Sequence, residues 1–467
     1  MDGRISKDAL LANLPPQWPE NLLSEVRRHI ASSGRSVVVL DDDPTGTQTV
    51  YDVPVLTEWS LEVLCEELLT SPAFYILTNS RSLSLAQAQV LNLELGRNLQ
   101  HAAEQVDRPF VVISRSDSTL RGHFPSETDA LEQGLGKTFD ATILIPFFLE
   151  GGRYTVDDVH YVEEEGELVP VAETEFAKDT SFGFEASNLR EWVVEKTKGQ
   201  VRSDDITSVS LETLRRGGPP EVTERLLELK RGGVCVINAV SMRDLEVFTC
   251  GLLDAEKLGK NFLYRTAASF VQARLGLVPR PLLTAADLSL SPSGGGLIVV
   301  GSYVPKTTRQ VQALLEQTDI TGLELDVATL LDEAHREAEV ERVIQRVSHL
   351  LADRDVVIYT SRQLITAEDK DSNLVLGRRV SESLEKIVRG LSLRPRYLLA
   401  KGGITSSDVA TRGLNVKRAV VIGQLFPGVP VWRLGEESLY PNMPYIVFPG
   451  NVGSPSTLTE VVKALHI

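Results

Sequence analysis

The chain has 467 residues, of which 42% are hydrophobic and 24% charged, and its formal net charge is −16. This length exceeds what one hydrophobic core usually supports, so about two or three domains are expected. The acidic balance argues against a general nucleic-acid-binding protein, because phosphate backbones require a basic surface. No stretch approaches about eighteen uninterrupted apolar residues, so no membrane partner is expected. The three cysteines are too widely spaced for a disulfide framework and indicate a reducing, cytoplasmic setting.

Short apolar runs alternate with helical patterns through the first part of the chain, which is typical of βαβ units with a mainly parallel sheet. The predicted strands are Ser36–Leu40, Ala73–Leu77, Pro109–Ile113, Ala141–Ile145 and Gly233–Ile237. Ser84 is the predicted N-cap of a helix that follows the second of these strands. Between about Gly151 and Gln200 the alternation weakens, and the sequence predicts a hairpin or lid inserted into the sheet order.

A stretch rich in Pro, Ser and Gly around Pro279–Gly296 predicts a flexible connection. Beyond it a second series of strands and helices begins at LIVVGS. The predicted fold class is therefore α/β, with two domains that are each a mainly parallel sheet flanked by helices. The predicted boundaries are an N-terminal extension over 1–35, a first domain over 36–280, a linker over 281–296 and a second domain over 297–467.

Polar residues follow three of the predicted strands in the first domain. The segments are DDDPTGT, TNSRS and RSDSTLRG. Because ligands of open α/β sheets bind beyond the carboxyl ends of the strands, these loops would meet at one rim if the three strands are neighbours. Carboxylates at such a rim bind hydroxyl groups, and guanidinium groups bind a carboxylate or a phosphate. The combination suits a polyhydroxylated acid.

Glycines and hydroxyl side chains follow three strands of the second domain. The segments are VVGSYVPKTTRQ, LLAKGGITSSDVA and FPGNVGSPSTL. Backbone N–H groups at helix starts bind anions, and glycines let a phosphate approach closely. Neither GxxxxGK[ST] nor GxGxxG is present, so any nucleotide site is of a non-standard kind. The histidines have no metal-binding spacing, and the metal ligands are left unassigned.

The triple aspartate also allows an interpretation as a phosphatase of the haloacid dehalogenase type. Asp41, Asp43 and Thr45 follow a strand in the pattern D-x-D-x-T, which would make Asp41 the nucleophile and Asp43 a general acid. That mechanism needs an acidic pair after a later strand, and neither DATILIPFF nor GVCVINAV ends in carboxylates. It also leaves the glycine-rich second domain without a role.

Seven segments, taken in order, resemble those of the four-carbon acid sugar kinase family. They are DDDPTGT, TNSRS, RSDSTLRG, AETEFAKD, GSYVPKTTRQ, KGGITSSDV and PGNVG. The family includes kinases of threonate, erythronate and 3-oxo-tetronates. The resemblance implies an acid-sugar-binding first domain, an ATP-binding second domain and phosphorylation of a terminal hydroxyl group. It further implies Mg²⁺ as the companion of ATP, and a homodimer.

The resemblance also implies roles for individual residues. The expected substrate-binding residues are Asp42, Arg81, Arg115, Ser116, Asp117 and Ser118. The expected nucleotide-binding residues are Ser302, Gly402, Gly403, Ile404, Thr405, Gly450, Asn451 and Gly453. Asp43 and Asp117 are the two candidates for the group that orients or deprotonates the attacking hydroxyl. The chain departs from the family pattern at Pro44, at Ile404 and in its N-terminal extension, so the acid sugar itself stays open.

Overall fold

The computed structural model describes residues 4–302, 304–361, 370–450 and 452–466, with only the backbone for 370–376. Contacts divide the chain into two compact units. Unit 1 comprises Met1–Val50 and Glu58–Pro279, and unit 2 comprises Tyr51–Thr57 and Arg280–Ile467. The predicted class, a two-domain α/β protein with mainly parallel strands, is confirmed.

The strands are short, as expected for parallel sheets joined by helices. In chain order they are β1 Ile5–Ser6, β2 Ser36–Asp41, β3 Val53–Leu56, β4 Ala73–Leu77, β5 Phe110–Arg115, β6 Ala141–Ile145, β7 Arg153–Val156, β8 Val159–Glu164, β9 Glu167–Pro170, β10 Ile206–Val209, β11 Gly233–Ile237, β12 Phe262–Thr266, β13 Leu297–Val300, β14 Thr321–Leu325, β15 Val356–Thr360, β16 Leu398–Lys401, β17 Arg418–Phe426, β18 Val429–Leu434 and β19 Pro444–Phe448.

The helices pack on the faces of these sheets. They are α1 Lys7–Ala12, α2 Leu23–Ser33, α3 Leu61–Thr70, α4 Leu85–Gln105, α5 Ser126–Leu135, α6 Leu189–Lys196, α7 Gly218–Leu227, α8 Met242–Lys257, α9 Ala268–Arg274, α10 Pro305–Gln317, α11 Val327–Leu331, α12 Arg336–Leu350, α13 Lys370–Gly390, α14 Gly403–Asp408 and α15 Thr457–Ala464. Ser84 caps α4 through a capping box with Gln87, as predicted. Across the described ranges, no helix has the length and apolar character needed to cross a membrane.

The sheet of unit 1 runs in the order β10-β11-β6-β12-β5-β2-β4 with parallel pairing throughout. Every residue of β2 is buried, because helices cover both faces of a parallel sheet. The chain passes from β2 to β4 on one side and then to β5 on the other. This reversal opens a crevice at the carboxyl ends of β2 and β5, where ligands of such sheets bind.

The segment between residues 151 and 200 forms the predicted hairpin. Strands β7, β8 and β9 pair antiparallel, and β1 of the N-terminal extension pairs with β9 as the fourth strand. Helix α6 follows, with its first-turn N–H groups accepted by the side chain of Asn188. The small sheet therefore combines the N-terminal extension with the insertion.

The sheet of unit 2 runs in the order β3-β17-β18-β19-β16-β13-β15-β14. The strands β19, β16, β13, β15 and β14 are parallel, whereas β3, β17, β18 and β19 pair antiparallel. Residues 51–57, which the sequence analysis placed in the first domain, belong to this unit because β3 hydrogen-bonds to β17. The strand order reverses between β13 and β16, which opens the equivalent crevice in unit 2.

The segment predicted as a flexible connection is partly packed. Leu288 is buried in the core of unit 2, and the N–H of Leu283 donates to the carbonyl of Gln424 at 2.7 Å. Thr284 and Asp287 also form a capping box around a short turn. The flexibility prediction is wrong for these residues, because burial of Leu288 and partial burial of Leu283 outweigh the loop-like composition around them.

Candidate active site

The carboxyl ends of β4, β2 and β5 bring charged side chains together in unit 1. We call this cluster the ion-pair rim, and its members are Asp41, Asp42, Asp43, Arg81, Arg115, Ser116 and Asp117. The three strands are neighbours, and Arg115 lies opposite Asp41 in the β2–β5 ladder. The N–H of Thr78 donates to the carbonyl of Asp41 at 2.9 Å, which joins the loop after β4 to the same edge. The structure therefore brings the three predicted loops together.

Asp41 is the innermost carboxylate of the ion-pair rim. Nη1 of Arg115 lies 3.0 Å from its Oδ1, and a Cβ built on Gly46 would fall 2.1 Å from the same oxygen. Burial raises the pKa of Asp41 to about 7, and the neighbouring Arg115 only partly opposes that rise. This carboxyl is held between an arginine and a glycine, with 1% of the residue exposed.

Asp42 accepts a hydrogen bond on one oxygen, and its second oxygen, Oδ1, lies 3.6 Å from Nη1 of Arg115. The hydroxyl of Ser116 donates to Oδ2 at 2.7 Å, while Oδ1 is buried with no hydrogen-bond partner in the described part of the chain. Burial raises the pKa of Asp42, and guanidinium groups including Arg81 and Arg115 oppose the rise. A buried carboxylate oxygen without a hydrogen bond is costly unless a ligand donates one.

Arg81 joins two carboxylates of the ion-pair rim. It forms an ion pair with Asp43, and its Nη1 lies 3.6 Å from Oδ1 of Asp117. Asn79 adopts a left-handed conformation, with φ of 49°, at the start of the turn that carries Arg81. Although burial acts to raise the pKa of Asp43, Arg81 and the hydrogen bond from Thr45 hold it below its usual range.

Asp117 is surrounded by groups that favour its ionised form. Nε of Arg121 lies 2.7 Å from its Oδ2, and the hydroxyl of Thr119 donates to the same oxygen. Burial acts to raise the pKa of Asp117, but Arg121 and Arg81 lower it far below its ordinary value. The carbonyl of Ser118 accepts from Nε2 of buried His160 at 2.8 Å, so the insertion braces this loop. Burial lowers the pKa of His160 to about 4, which keeps the ring neutral.

Arg265 of β12 lies beside the ion-pair rim, and the sequence did not lead us to predict it. Its Nη1 donates to Ser114 at 3.0 Å and to Glu127 at 2.9 Å. A small cavity beside it is lined by Ser116, Asp117, Leu120, Arg121, Leu144, Pro146, Trp192, Arg265 and Thr266. The signal was present in the sequence, because FLYRT has an arginine directly before its last residue and FVVISR ends in one.

The carboxyl ends of β13, β16 and β19 form a second cluster, in unit 2. We call it the glycine rim, and it consists of Gly301–Ser302, Lys401–Thr405 and Pro449–Gly450. A Cβ on Gly301 would fall 2.5 Å from Oγ1 of Thr405, and Gly402 adopts φ of 104°. The first two loops therefore approach so closely that a residue with a side chain could not replace Gly301 without a shift. The N–H of Gly402 donates to the carbonyl of Phe448 at 2.8 Å, which ties the second loop to β19.

The loop after β19 offers open space. A Cβ on Gly450 would meet no heavy atom of the described residues within 4 Å. Nε2 of Gln310 donates to the carbonyls of Val452 and Ser454 at 3.2 and 2.8 Å, so α10 holds this loop in place. Gly453 adopts φ of 82° within it. Asn451, one of the expected nucleotide-binding residues, lies outside the described residues.

The other expected nucleotide-binding residues take different positions. Ser302 follows β13, and its hydroxyl accepts from the N–H of Val304 at 3.4 Å. Gly403 begins α14, and the Ile404 side chain that follows is 59% exposed. Thr405 is buried in the same helix. The side chain of Ile404 is uncharged and apolar, so it could contact a ligand only through its backbone groups or by apolar contact.

Lys401 is a second residue that sequence reasoning missed. It ends β16, it is fully buried, and its Nζ donates to the carbonyl of Pro449 at 3.3 Å. Burial and the nearby Lys306 lower the pKa of Lys401 to about 7. Its position at a strand end, directly before two glycines, was the available signal.

The two units match models of two protein domains. Residues 37–274 match a sugar-binding N-terminal domain, and residues 297–458 match a nucleotide-binding C-terminal domain. The first match covers the ion-pair rim, and the second covers the glycine rim.

Curated relatives with similar sequences are sugar-acid kinases. The chain is 25% identical to D-threonate kinase of Salmonella typhimurium, over 75% of this chain and 80% of the relative. It is 26% identical to D-erythronate kinase of Heliobacterium modesticaldum, over 76% of each chain. It is 25% identical to 3-oxo-tetronate kinase of Pseudomonas fluorescens, over 78% and 80%.

Solved structures share the fold. A protein of Salmonella typhimurium LT2 superposes with a TM-score of 0.66 at 19% identity, over 91% of this chain and 98% of its own. Haemophilus influenzae protein HI1011 superposes with a TM-score of 0.61 at 19% identity, over 92% and 100%. At this identity the likeness concerns the fold alone.

Proposed function

The chain belongs to the four-carbon acid sugar kinase family, and from this premise we propose that it transfers a phosphoryl group from ATP to a terminal hydroxyl of a four-carbon acid sugar. The observation that carries the proposal is the ion-pair rim, where carboxylates and guanidinium groups gather at the carboxyl ends of three neighbouring strands. Threonate, erythronate and 3-oxo-tetronates present the hydroxyl groups and the carboxylate that such a rim binds.

Arg81 is the proposed partner of the substrate carboxylate. Its side chain is 18% exposed, whereas that of Arg115 is 5% exposed and is turned to Asp41. Arg81 already lies between Asp43 and Asp117, so a bound carboxylate would share a guanidinium group whose orientation is fixed. Arg115 instead balances the charges of the innermost carboxylates.

Asp42 is the proposed proton acceptor. The sequence analysis named Asp43 and Asp117, but arginines lower the pKa of both, which makes them weak bases near neutral pH. Asp42 has a raised pKa and an oxygen without a hydrogen-bond partner in the described chain. We therefore assign Asp43 and Asp117 to the orientation of Arg81, and Asp42 to the attacking hydroxyl.

The glycine rim is the proposed site for ATP, and two observations fit a nucleotide there. Gly450 faces space that a side chain would fill, and the buried hydroxyl of Thr307 has no hydrogen-bond partner in the described chain. Gly301, Gly402 and Gly450 let phosphate oxygens reach backbone N–H groups. Phosphoryl transfer depends mainly on such positioning and on charge neutralisation.

Mg²⁺ is proposed to accompany ATP and to be held chiefly by its phosphate oxygens. In the described ranges, no group of three or more His, Cys, Asp or Glu side chains is arranged to hold a metal ion. Mg²⁺ commonly binds through one or two carboxylates together with substrate phosphates, so no dedicated protein cage is required.

The phosphatase interpretation of the triple aspartate is less well supported. Its nucleophile would be Asp41, whose carboxyl is 1% exposed and lies between Arg115 and Gly46. Its general acid would be Asp43, which Arg81 keeps ionised. Neither group is free for the role that the interpretation requires.

The test is a coupled ADP-release assay with Mg-ATP and a panel of threonate, erythronate and 3-oxo-tetronate in both configurations. We expect ADP release that depends on one of these acids. ADP release that is equal with and without every acid, together with hydrolysis of phosphate esters, would contradict the proposal and favour the phosphatase. The expected homodimer stays a prediction, which the molar mass in solution tests.

A further inference from the structure

Lys401 lies where the three loops of the glycine rim converge. It precedes Gly402 in the chain, and its Nζ donates to the carbonyl of Pro449, next to Gly450. The same Nζ lies 4.1 Å from the centroid of the Phe448 ring. A fully buried lysine is therefore placed between two of the loops expected to bind nucleotide.

No described side chain offers Lys401 a negative charge, although the Phe448 ring and the Pro449 carbonyl lie against its amine. Its strand neighbours, β13 and β19, present apolar residues, and no carboxylate among the described side chains acts on its amine. The charged group that does act is Lys306, on the first turn of α10, and it is of the same sign. Protonating this amine without an anion is costly, since a buried charge needs a partner.

The glycine rim has room for the missing anion. A Cβ on Gly450 would meet none of the described atoms within 4 Å, whereas one on Gly402 would make ordinary contact with Ser302 and Thr405 at 3.8 Å. Thr307, next to Lys306, contributes a buried hydroxyl with no hydrogen-bond partner in the described chain. The unit therefore offers open space at Gly450 and a buried hydroxyl on α10 that lacks a hydrogen bond in the described chain.

We propose that Lys401 donates a hydrogen bond to a phosphate oxygen of the bound nucleotide and that nucleotide binding draws a proton from solution to charge its amine. The proposal rests on the proposed function, because it places the nucleotide on the glycine rim. The proton balance is simple: a neutral amine and one proton from water become an ammonium group that faces the phosphate.

The test is isothermal titration of ADP with Mg²⁺ into the full chain at pH 8, in two buffers that differ in ionisation enthalpy. At this pH the phosphate groups have lost their own protons, since phosphate monoesters titrate at a pKa of about 6. The free Lys401 amine, with its pKa lowered to about 7, is mostly neutral there. We expect an uptake approaching one proton per nucleotide for the wild type.

Two variants separate charge from proton uptake. Lys401→Met should bind ADP about tenfold to a hundredfold more weakly, as expected for a lost charged hydrogen bond, and should show no proton uptake. Lys401→Arg should keep most of the affinity without proton uptake, because its guanidinium is always charged. Lys463→Met removes an exposed lysine from α15 of the same unit and should change neither quantity.

A thermal readout separates this role from a structural one. Lys401→Met removes a buried amine that is costly to charge, so it should raise the melting temperature of the nucleotide-free protein while weakening ADP binding. A lysine that only supports the fold would show the opposite change in melting temperature.

The proposal is overturned if the wild type binds ADP without proton uptake at pH 8, or if Lys401→Met binds ADP as tightly as the wild type. The first of these measurements needs no variant, so it holds even if Lys401→Met does not fold. A wild type that binds no ADP at all would instead contradict the proposed function.

Discussion

The ion-pair rim of unit 1 and the glycine rim of unit 2 occupy the same position in their sheets, but they differ in whether their basic residues are paired with carboxylates. Both lie where the strand order reverses, beyond the carboxyl ends of parallel strands. In the ion-pair rim, Arg81 and Arg115 each have a carboxylate within hydrogen-bonding distance. In the glycine rim, Lys401 is buried without a carboxylate partner among the described side chains.

This difference indicates two ways to bind an anionic ligand. The charges of the ion-pair rim are already paired with one another before the ligand arrives, so its selectivity depends on the geometry of hydroxyl and carboxylate groups. The members of the glycine rim include no acidic residue, so a phosphate would complete it. A site of the first kind selects one small acid among similar molecules, whereas a site of the second kind selects for charge.

The largest expected effect is a loss of activity from a substitution in the ion-pair rim of unit 1, which should leave the glycine rim of unit 2 unaffected. Asp42→Asn keeps the shape of the side chain but removes its basicity. We expect kcat to fall by about 10²-fold to 10⁴-fold, as for loss of a general base, with ADP affinity unchanged. Steady-state kinetics and ADP titration measure the two quantities.

The matched control is Asp204→Asn, which changes an exposed aspartate of the same unit and should leave kcat unchanged. An Asp42→Asn enzyme with wild-type kcat would show that the proton acceptor is another group, and Asp43→Asn and Asp117→Asn would then be the variants to compare.

Alanine substitutions at one glycine in each unit should differ in their effect on stability. Gly122 has φ of 128° and its added Cβ would fall 2.6 Å from Nη2 of Arg265, so Gly122→Ala should destabilise the fold by about 1–3 kcal/mol. Gly450 has neither a left-handed φ nor a described atom within 4 Å, so Gly450→Ala should cost less than about 0.5 kcal/mol.

Of the two glycine variants, the less destabilised one, Gly450→Ala, should have the larger effect on ADP binding. Gly450→Ala should weaken ADP binding, since its methyl group enters the space assigned to the nucleotide. Chemical unfolding and ADP titration test both. Equal destabilisation by the two variants, or full ADP affinity in Gly450→Ala, would contradict the assignment of that space.

A further expected effect is a pH dependence of stability. Asp41 has a pKa raised to about 7 in the fold, above its unfolded value, so its stabilising contribution is full below about pH 4 and is lost as the pH rises through 7. Relative to Asp41→Asn, the wild type should lose up to about 1.4 kcal/mol of unfolding free energy per pH unit in that window.

Lys401 should act in the opposite direction. Its pKa is lowered to about 7, so its contribution to stability rises from about pH 7 towards the unfolded value. Denaturant unfolding of the wild type and Asp41→Asn at pH 5, 6, 7 and 8 measures the first slope. Identical slopes for the two proteins would show that Asp41 ionises normally in the fold.

Much of the fold could be predicted from the sequence because strand-forming runs end in recognisable turns. Ala73–Leu77, Ala141–Ile145 and Gly233–Ile237 begin and end at the predicted residues. The three polar loops could be predicted to lie close together, because the carboxyl ends of neighbouring parallel strands meet at one edge of a sheet. The assignment of residues 51–57 to unit 2 could not be predicted, because VPVL has the pattern of an ordinary strand and its partner, β17, lies more than three hundred residues away.

The division of roles within the candidate site could not be predicted in the same way. Three adjacent aspartates look alike in sequence, and only packing separates them. Asp41 is turned to Arg115, Asp42 to Ser116 and Asp43 to Arg81. The buried state of Lys401 likewise depends on Pro449 and Phe448, which are distant in sequence.

The membership of β3 in unit 2 has a practical consequence for dissecting the protein. A fragment that starts at Arg280 would lack β3, and the backbone groups of Arg418–Val421 that pair with it would become an open sheet edge. Open edges recruit strands from other chains, so the fragment should aggregate where the intact chain does not. Joining residues 51–57 to the fragment through a short linker would restore the edge partner, in the manner of a circular permutation.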